Sequence, residues 1–142
     1  MTQSVLLDVN VLLALSCDAH EHHERAHARF AHIDSWSTTP ITELGLLRLM
    51  MTPAVMGRTV SASAARAQVK ALRSADGWSW VADDVSPAEW GAGGYALRGR
   101  RQVTDLQLVN LAARHECVLA TFDDGIRHGL RPKERAVVDV WD

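Results

Sequence analysis

Acidic residues at four distant places in the chain could together bind a metal ion. Asp8 ends a short apolar stretch, and the pair Asp123 and Asp124 follows another. Asp105 opens a predicted helix, and Glu43 lies in the first turn of the helix after a further apolar segment. Ligands of open parallel α/β sheets bind outside the carboxyl ends of the strands, so these acids are predicted to share one edge. Carboxylates gathered there repel each other unless a cation neutralises them, and their oxygens suit hard cations such as Mg²⁺ or Mn²⁺.

Each of these acids, taken alone, also fits a structural role. Asp8 and Asp105 are suited to cap the helices that follow them, and Glu43 suits the positive end of its own helix. Asp8 is the hardest to explain in this way, because the stretch SVLLDVNVLLAL around it is otherwise almost entirely apolar. A carboxylate buried there without a partner would be costly. The coincidence of all the acids at one edge therefore favours a metal site.

The elements that must position these acids alternate between strands and helices. The strands are short and apolar on both faces, which is typical of a parallel sheet covered by helices. They are predicted over residues 4–8, 36–39, 78–81, 118–121 and 136–141. The helices are predicted directly after residue 8, over 20–33, 40–51, 62–74 and 104–115, and as a short turn over 123–128. A further helix is predicted from Ser86-Pro87, either fading at the glycines of 91–94 or continuing to Leu97.

Local signals predict the ends and faces of these helices. Ser61 is predicted to cap the helix that starts at residue 62, and Thr104 or Asp105 the helix that runs to His115. The helix 40–51 is predicted to carry one apolar stripe, because four of its apolar residues recur at helical spacing: Ile41, Leu44, Leu47 and Met51.

The length and composition are those of one ordinary globular domain, predicted to span residues 1–142. Hydrophobic residues make up 47% of the chain and charged residues 23%. No apolar run reaches the roughly 18 residues of a membrane span, and Asp8 interrupts the apolar N-terminal stretch, so no membrane association and no signal peptide are predicted. Cys17 and Cys117 are therefore expected to be reduced thiols in a cytoplasmic protein.

The net charge of −2 does not suggest a nucleic-acid-binding protein, but the type and distribution of the basic residues are informative. Thirteen of the fifteen basic residues are arginine. Three of them, Arg98, Arg100 and Arg101, cluster just before Asp105. The planar guanidinium suits phosphate oxygens, which makes these three candidates for binding a phosphate backbone. The alternative is a solvated surface in an arginine-rich chain.

Four stretches, in this order, resemble the PIN-domain ribonucleases and, more narrowly, the VapC toxins of bacterial toxin–antitoxin pairs: LLDVNVLLAL, TELGLLRL, VTDLQLVNLAARH and LATFDD. The resemblance covers nearly the whole chain. It implies a PIN-like α/β/α sandwich with a central, mostly parallel sheet of four to five strands. It also implies an endoribonuclease that uses Mg²⁺, with Mn²⁺ as the alternative, to activate water for cleavage of RNA.

The resemblance assigns roles to individual residues. The acids that it implies as catalytic and metal-binding are Asp8, Glu43, Asp105 and Asp123, with Asp124 as the alternative for the last position. The residues implied or proposed to bind substrate are Asn10, Arg48 and Thr121, together with the arginine cluster Arg98, Arg100 and Arg101. Cleavage by metal-activated water would leave a 5′-phosphate and a 3′-hydroxyl.

The resemblance also implies partners. The RNA substrate would be, for example, tRNA or rRNA, and a cognate antitoxin would block the site. A homodimer is expected from the family. The apolar helix around Leu44 and Met51 and the segment 62–74 with Arg66, Lys70 and Arg73 are candidates for binding a partner helix. An arginine of the antitoxin that reaches the acidic pocket would replace the charge of the metal.

Other constellations in the sequence have weaker support. His23 and His27 have a spacing that can bind zinc on a helix, but no further zinc ligand is evident, so a structural or interfacial role is favoured for His20 and His23. Packing is favoured over base stacking for Trp78, Trp80 and Trp90. A phosphoacceptor receiver domain would need an acidic pair at the first strand and a lysine ending a late strand, which this sequence lacks. A non-catalytic PIN-like binding module would have no need for four carboxylates at one edge.

Overall fold

Five parallel strands form one central sheet in the computed structural model, which describes residues 3–142. β1 (Val5–Leu7) lies at the centre of the sheet. On one side of it are β2 (Trp36–Thr38) and then β3 (Trp78–Trp80), and on the other are β4 (Val118–Thr121) and then β5 (Val138–Val140). Every neighbouring pair is parallel. The predicted fold class is therefore confirmed, with five strands in the sheet.

The helices pack on both faces of this sheet. In the described part of the chain they are α1 (Val9–Ser16), α2 (His23–Phe30), α3 (Pro40–Met50), α4 (Pro53–Met56), α5 (Ala62–Arg73), α6 (Val103–Arg114) and α7 (Asp124–His128). Ser61 caps α5 as predicted, since its side chain accepts a hydrogen bond from the backbone N–H of Ala64 at 3.1 Å. None of the helices within residues 3–142 is long and apolar enough to cross a membrane.

Alternation along β1 divides the core into two layers. Leu7 packs with residues of α1, α2, α3 and α5, among them Leu12 and Leu46. Leu6, which points to the opposite face, packs with residues of α6, including Leu108 and Leu111. All of these leucines are fully buried, and each contributes about 1.5–3 kcal/mol of hydrophobic stabilisation. The two layers make the α/β/α sandwich.

A close contact between α1 and α3 depends on Gly45. A Cβ atom built on this glycine would lie 2.7 Å from Cγ2 of Val9, which is closer than real carbon atoms approach. Because Val9 directly follows Asp8, the contact fixes the start of α3 beside the carboxyl end of β1. Glu43, in the first turn of α3, is carried to the same edge of the sheet.

The apolar stripe predicted on α3 is not the face of the helix that the core buries. The buried residues are Thr42, Leu46 and Met50, while Leu44 is 59% exposed and Met51 45% exposed. Apolar residues occupy both sides of this helix, so periodicity alone could not choose the face that meets the core. The remaining residues of the stripe, Ile41 and Leu47, are partly buried.

The helix predicted from Ser86 is also wrong, and the segment forms 3₁₀ turns at Pro87–Glu89, Gly94–Ala96 and Arg100–Gln102. Gly93 has a φ of 69°, in the left-handed region, which ends any regular helix. The segment is anchored to α6 instead. The buried side chain of Asn110 accepts hydrogen bonds from the backbone N–H groups of Gly91 and Ala92, and that of Gln107 accepts one from Nε1 of Trp90 at 2.8 Å.

Candidate metal centre

Asp8 lies between the end of β1 and the start of α1, where it is 6% exposed. One carboxylate oxygen, Oδ1, accepts a hydrogen bond from the backbone N–H of Val9 at 2.7 Å. The other, Oδ2, accepts one from the hydroxyl of Thr121 at 2.8 Å. Burial raises the pKa of Asp8, the two hydrogen bonds lower it, and the charge of Asp123 raises it further. The net result is a raised pKa, so this carboxylate is poorly compensated by its protein surroundings.

Thr121, the last residue of β4, is fully buried, and its hydroxyl connects Asp8, Asn10 and Asp123 by hydrogen bonds. Its hydroxyl oxygen accepts hydrogen bonds from Nδ2 of Asn10 at 3.1 Å and from the backbone N–H of Asp123 at 3.0 Å. Two donors therefore occupy its oxygen, and its own proton is directed at Asp8. Asn10 also accepts a hydrogen bond from the backbone N–H of Phe122 at 3.2 Å. Asn10 thus joins α1 to the end of β4 at this edge.

Asp105 lies in the first turn of α6 and is half-buried. The prediction that Thr104 or Asp105 caps this helix is wrong, because α6 begins at Val103 and the capping position is Gln102. The reason is the preceding 3₁₀ turn, Arg100–Gln102, which leads directly into the helix. Burial, followed by the charges of Asp8 and Asp123, raises the pKa of Asp105 to about 6. Asp105 is therefore not used as a cap, and it faces two other acids.

Asp123 and Asp124 differ in their relation to the other acids. Asp123 caps α7, with Oδ1 accepting a hydrogen bond from the backbone N–H of Gly125 at 2.9 Å. Its charge contributes to the raised pKa of both Asp8 and Asp105. Asp124 lies in the first turn of α7, is exposed, and is absent from the charges that act on either group. The geometry thus favours Asp123 over Asp124 as the acid at this position.

Glu43 lies on the opposite side of β1 with a different set of partners. Its side chain is 16% exposed. Oε2 accepts a hydrogen bond from the hydroxyl of Thr38, the last residue of β2, at 2.6 Å, and lies 3.9 Å from Nε of Arg73. Trp78 of β3 donates from Nε1 to the same hydroxyl oxygen of Thr38 at 2.9 Å. Glu43 therefore has a guanidinium close to its carboxylate, whereas the charges that act on Asp8 and Asp105 are those of other acids.

The acidic edge fits an oxygen-liganded divalent cation in its chemistry. Within residues 3–142, no three His, Cys, Asp or Glu side chains stand close enough together to form a ready-made ligand group. The charge of Asp123 nevertheless raises the pKa of Asp8, and the charges of Asp8 and Asp123 raise the pKa of Asp105. Like charges repel in the absence of a cation, and a divalent cation would offset both this repulsion and the cost of burial. All the candidate ligands are carboxylate oxygens, which suit Mg²⁺ and Mn²⁺.

The predicted arginines lie in different places. Arg101 lines a cavity of about 280 Å³ together with Asp105 and Asp123. Arg98 donates from Nη1 to the carbonyl of Tyr95 at 3.0 Å, so its guanidinium is directed at its own turn. Arg100 is exposed in the turn before α6, and Arg48 is exposed on α3. The structure therefore brings Arg101 to the acidic edge.

The histidine-rich segment has structural contacts. His23 and His27 approach the carbonyl oxygens of Ala14 and Leu15 with ring nitrogens at 2.7 and 3.0 Å. These carbonyls belong to the last turn of α1, where such groups have no partner within the helix. The histidines therefore complete the carboxyl end of α1. His22 stacks on Phe122 with 4.6 Å between ring centroids, next to Asp123 in the chain.

Sequence analysis did not predict that three residues contact Glu43 or its hydrogen-bond partner: Thr38, Trp78 and Arg73. Thr38 ends β2 in the same way that Thr121 ends β4, and that parallel was a readable signal. Trp78 was assigned to packing, and Arg73 to a partner surface. Their convergence on Glu43 depends on the pairing of β2 with β3, in which Trp36 is aligned with Trp78 and Thr38 with Trp80.

Comparisons with known proteins agree with this fold. The PIN domain family model matches residues 5–129. The Mycobacterium tuberculosis protein named ribonuclease VapC38 is 40% identical over 123 residues, which cover 85% of this chain and 86% of that protein. Ribonuclease VapC39 of the same species is 42% identical over 123 residues, which cover 84% of this chain and 88% of that protein. The chain therefore belongs to the PIN-domain family, within its VapC-type ribonucleases.

Solved structures show the same fold at low sequence identity. The crystal structure of VapBC2 from Rickettsia felis, bound to a DNA fragment from its promoter, matches with a TM-score of 0.65 and 11% identity, covering 98% of this chain and 99% of that chain. That of VapC20 from Mycobacterium tuberculosis, described as a sarcin–ricin loop cleaving toxin, matches with a TM-score of 0.64 and 12% identity, covering 87% of this chain and 93% of that chain.

Proposed function

We propose that this protein is an endoribonuclease toxin that depends on a divalent cation, Mg²⁺ or Mn²⁺, and is inhibited by a cognate antitoxin. The observation that carries the proposal is the group of Asp8, Asp105 and Asp123 at the carboxyl edge of the sheet. Burial and mutual repulsion raise the pKa of Asp8 and Asp105, as expected for carboxylates that await a cation. Relatives named ribonucleases, which align with most of the chain, support the reaction class.

Different residues of the chain would hold the cation and orient its ligands. When bound, the cation would lower the pKa of a coordinated water and offset negative charge on the scissile phosphate. Asp8, Asp105 and Asp123 would hold it, with Glu43 contributing through Oε1, because Oε2 is engaged by Thr38. Thr121 orients Asp8 through its directed hydroxyl. Water would attack the phosphodiester, and the products would carry a 5′-phosphate and a 3′-hydroxyl.

Arginine side chains near the acidic edge would bind the RNA backbone. Arg101 shares a cavity with Asp105 and Asp123, so its guanidinium can bind a phosphate oxygen next to the cation. Arg100, in the preceding turn, and Arg48, on α3, are exposed and can bind phosphates further along the strand. Asn10 contributes by holding the end of β4 in place. This arrangement suits a nucleic-acid strand with its regular phosphates, and the relatives named ribonucleases support RNA as the substrate.

A groove between α3 and α5 is the surface that we assign to the antitoxin. It has a volume of about 840 Å³ and is lined by Glu43, by the apolar residues Leu44 and Leu47, and by Arg66, Lys70 and Arg73. The exposed Leu44 and the partly buried Leu47, beside basic side chains and an acid, suit an amphipathic segment. A segment bound there would reach Glu43, so occupation of the groove and blocking of the site are coupled. The expected homodimer and cytoplasmic location stay predictions.

The alternative, a non-catalytic PIN-like module, draws support from the lack of a ready-made three-ligand group within the described residues. One experiment separates the two functions. Purified protein is incubated with deproteinised total RNA in Mg²⁺, in EDTA, and as the Asp8→Asn variant, and the RNA ends are sequenced. We expect cleavage with 5′-phosphate ends in Mg²⁺ alone. Cleavage at the parent rate by Asp8→Asn would overturn the metal-site assignment, and no cleavage under any condition would favour the module.

The matched control for this experiment is Asp18→Asn. Asp18 has a fully exposed side chain, 3.6 Å from Nε2 of His23, so the same chemical change there removes a surface charge. Exposed ion pairs contribute little, about 0–1 kcal/mol. We expect Asp18→Asn to cleave RNA at the rate of the parent protein. A comparable loss in both variants would mean that net charge, and not the site, determines activity.

A further inference from the structure

A chain of hydrogen bonds runs from the edge strand β3 to Glu43. Nε1 of Trp78 donates to Oγ1 of Thr38 at 2.9 Å, and this hydroxyl donates to Oε2 of Glu43 at 2.6 Å. The order of donors is fixed by chemistry. The indole N–H can only donate, so it takes a lone pair of the hydroxyl oxygen and leaves the hydroxyl proton for the carboxylate. The chain of bonds therefore has one direction, from tryptophan to glutamate.

Burial makes this chain of bonds rigid. Thr38 is 2% exposed and lies within the sheet, so its side chain has little freedom to turn. Its backbone is fixed as well, because the backbone N–H of Val81 donates to the carbonyl of Thr38 at 2.9 Å. The carboxylate of Glu43 is thereby held by one oxygen, Oε2. Its other oxygen, Oε1, is left for a ligand.

Arg73 closes the outer side of the same cluster. Its guanidinium carbon lies 4.1 Å from the centroid of the Trp78 ring and 5.3 Å from that of Trp80. Its Nε lies 3.9 Å from Oε2 of Glu43. A guanidinium on an aromatic face is attracted by the ring quadrupole, so Arg73 holds the Trp78 ring flat against the protein. The indole N–H is kept aimed at Thr38.

We propose that Thr38 and Trp78 are positioning residues that set the carboxylate of Glu43 for binding the divalent cation. This inference rests on the proposed function. It assigns the edge strand β3 a task in the site, namely to supply the donor at the start of the chain of bonds. Hydrogen-bond partners of metal ligands of this kind typically change metal affinity by about 10–100-fold when removed.

The test measures the binding of Mn²⁺ to the metal-free protein by calorimetric titration, together with the Mg²⁺ dependence of RNA cleavage. Thr38→Val keeps the shape of the side chain and removes the hydroxyl. We expect it to raise the dissociation constant for Mn²⁺ about 10- to 100-fold and to shift the Mg²⁺ midpoint of cleavage in the same direction. Thr38→Ser, which keeps the hydroxyl, is expected to restore both values to within a few-fold of the parent.

Trp78→Phe provides a second and milder variant. It keeps an aromatic ring for Arg73 and removes the N–H donor to Thr38. We expect a rise of about 3- to 10-fold in the dissociation constant, because the hydroxyl remains but is less well directed. Trp80→Phe is the matched control, since Trp80 lies two residues further along β3 and is 46% exposed. We expect Trp80→Phe to bind Mn²⁺ as the parent does.

The outcomes separate a positioning role from a packing role. A packing role would lower the melting temperature of Thr38→Val and Trp78→Phe and leave the dissociation constants of the folded proteins unchanged, which would overturn the proposal. Asp8→Asn, measured in parallel, separates this failure from failure of the proposed function. If Asp8→Asn loses Mn²⁺ binding and cleavage while Thr38→Val and Trp78→Phe match the parent, the positioning role alone is wrong. If Asp8→Asn retains both, the metal site itself is wrong.

Discussion

Two threonine–carboxylate pairs stand on either side of the central strand, and their surroundings differ. Thr121, at the end of β4, donates to Asp8, and Thr38, at the end of β2, donates to Glu43. Asp8 lies deeper in the protein and faces the charge of Asp123, so its pKa is raised. Glu43 instead has the guanidinium of Arg73 close to its carboxylate.

A threonine hydroxyl that donates to a carboxylate therefore has a different role on each side of β1. The aspartate side of the edge carries uncompensated negative charge, which is the driving force for binding a cation. The glutamate side is already compensated, so it gains less from a cation but holds its carboxylate in a fixed place. We therefore expect substitution of Asp8 to abolish metal binding and substitutions on the glutamate side to weaken it.

The largest effect is expected from Asp8→Asn. The change removes the most deeply buried of the candidate ligands while keeping its shape. We expect RNA cleavage to fall by more than about 100-fold, beyond the usual effect of removing a hydrogen-bond partner of a ligand. The stability of the metal-free protein should change little, because the loss of a poorly compensated buried charge offsets the hydrogen bond that the asparagine NH₂ cannot accept from Val9 or Thr121. Rates of cleavage and melting curves test this, and a marked fall in melting temperature would show that Asp8 is needed for folding.

A smaller and unequal effect is expected from alanine at Asp123 and Asp124. Asp123 acts on the pKa of Asp8 and Asp105, whereas Asp124 is exposed in the first turn of α7. We expect Asp123→Ala to reduce cleavage about 10- to 100-fold and Asp124→Ala to change it little. Because Asp123 also caps α7, melting curves of both variants are the control. Equal rates in the two variants would mean that the structure has assigned this position wrongly.

The pH dependence of the free energy of unfolding should reveal the repulsion among Asp8, Asp105 and Asp123 in the absence of RNA. Burial and the charges of Asp8 and Asp123 raise the pKa of Asp105 from its ordinary value near 3.8 to about 6, so the folded state holds this proton more tightly than the unfolded state. Its contribution to stability is therefore full below about pH 4 and is lost as the pH rises through about 6. Above that range, Mg²⁺ should restore the stability by replacing the proton.

We expect Mg²⁺ to raise the melting temperature by about 4 °C or more near pH 7.5, and by clearly less near pH 5, where protons compete for Asp105. Thermal unfolding with and without Mg²⁺ at both pH values measures this. In Asp105→Asn the dependence on pH should be flatter. The same Mg²⁺ effect at both pH values would argue that the ion binds elsewhere.

The smallest effect is expected from Asn10→Ala, which is the counterpart of Trp78→Phe on the other side of β1. Asn10 donates to the hydroxyl of Thr121, but the backbone N–H of Asp123 donates to it as well. The hydroxyl thus remains directed at Asp8 after the change. We expect a loss of Mn²⁺ affinity of about 3-fold or less, below that of Trp78→Phe. A larger loss in Asn10→Ala, measured by the same titration, would show that the side chain meets the ion or the RNA itself.

Much of the architecture was predictable from the sequence because short apolar strands alternate with helices. The strand Val118–Thr121 was predicted with its observed bounds, and the acids on three elements were correctly placed at one edge. The face of α3 was not predictable, because its apolar residues lie on both sides and tertiary packing selects Leu46 over Leu44. The 3₁₀ turns before α6 were not predictable for a similar reason, because long-range hydrogen bonds to the side chain of Asn110 hold that segment.

The position of Asp8, Asp105 and Asp123 at one edge was predictable, but the division of that edge into two sides was not. The division depends on which groups face each carboxylate. Thr38 is only five residues from Glu43. Trp78 reaches Thr38 through the pairing of β2 with β3, and Arg73 reaches Glu43 from the end of α5. The contacts of Trp78 and Arg73 join residues far apart in the chain, and no local pattern encodes them.

We propose that the edge formed by Asp8, Asp105 and Asp123 binds a divalent cation. Calorimetric titration of Mn²⁺ into the metal-free protein near neutral pH measures this binding. We expect saturable binding of Mn²⁺ to the parent protein and to Asp18→Asn, and no detectable binding to Asp8→Asn. Binding of equal affinity to Asp8→Asn, or no binding to the parent, would contradict it.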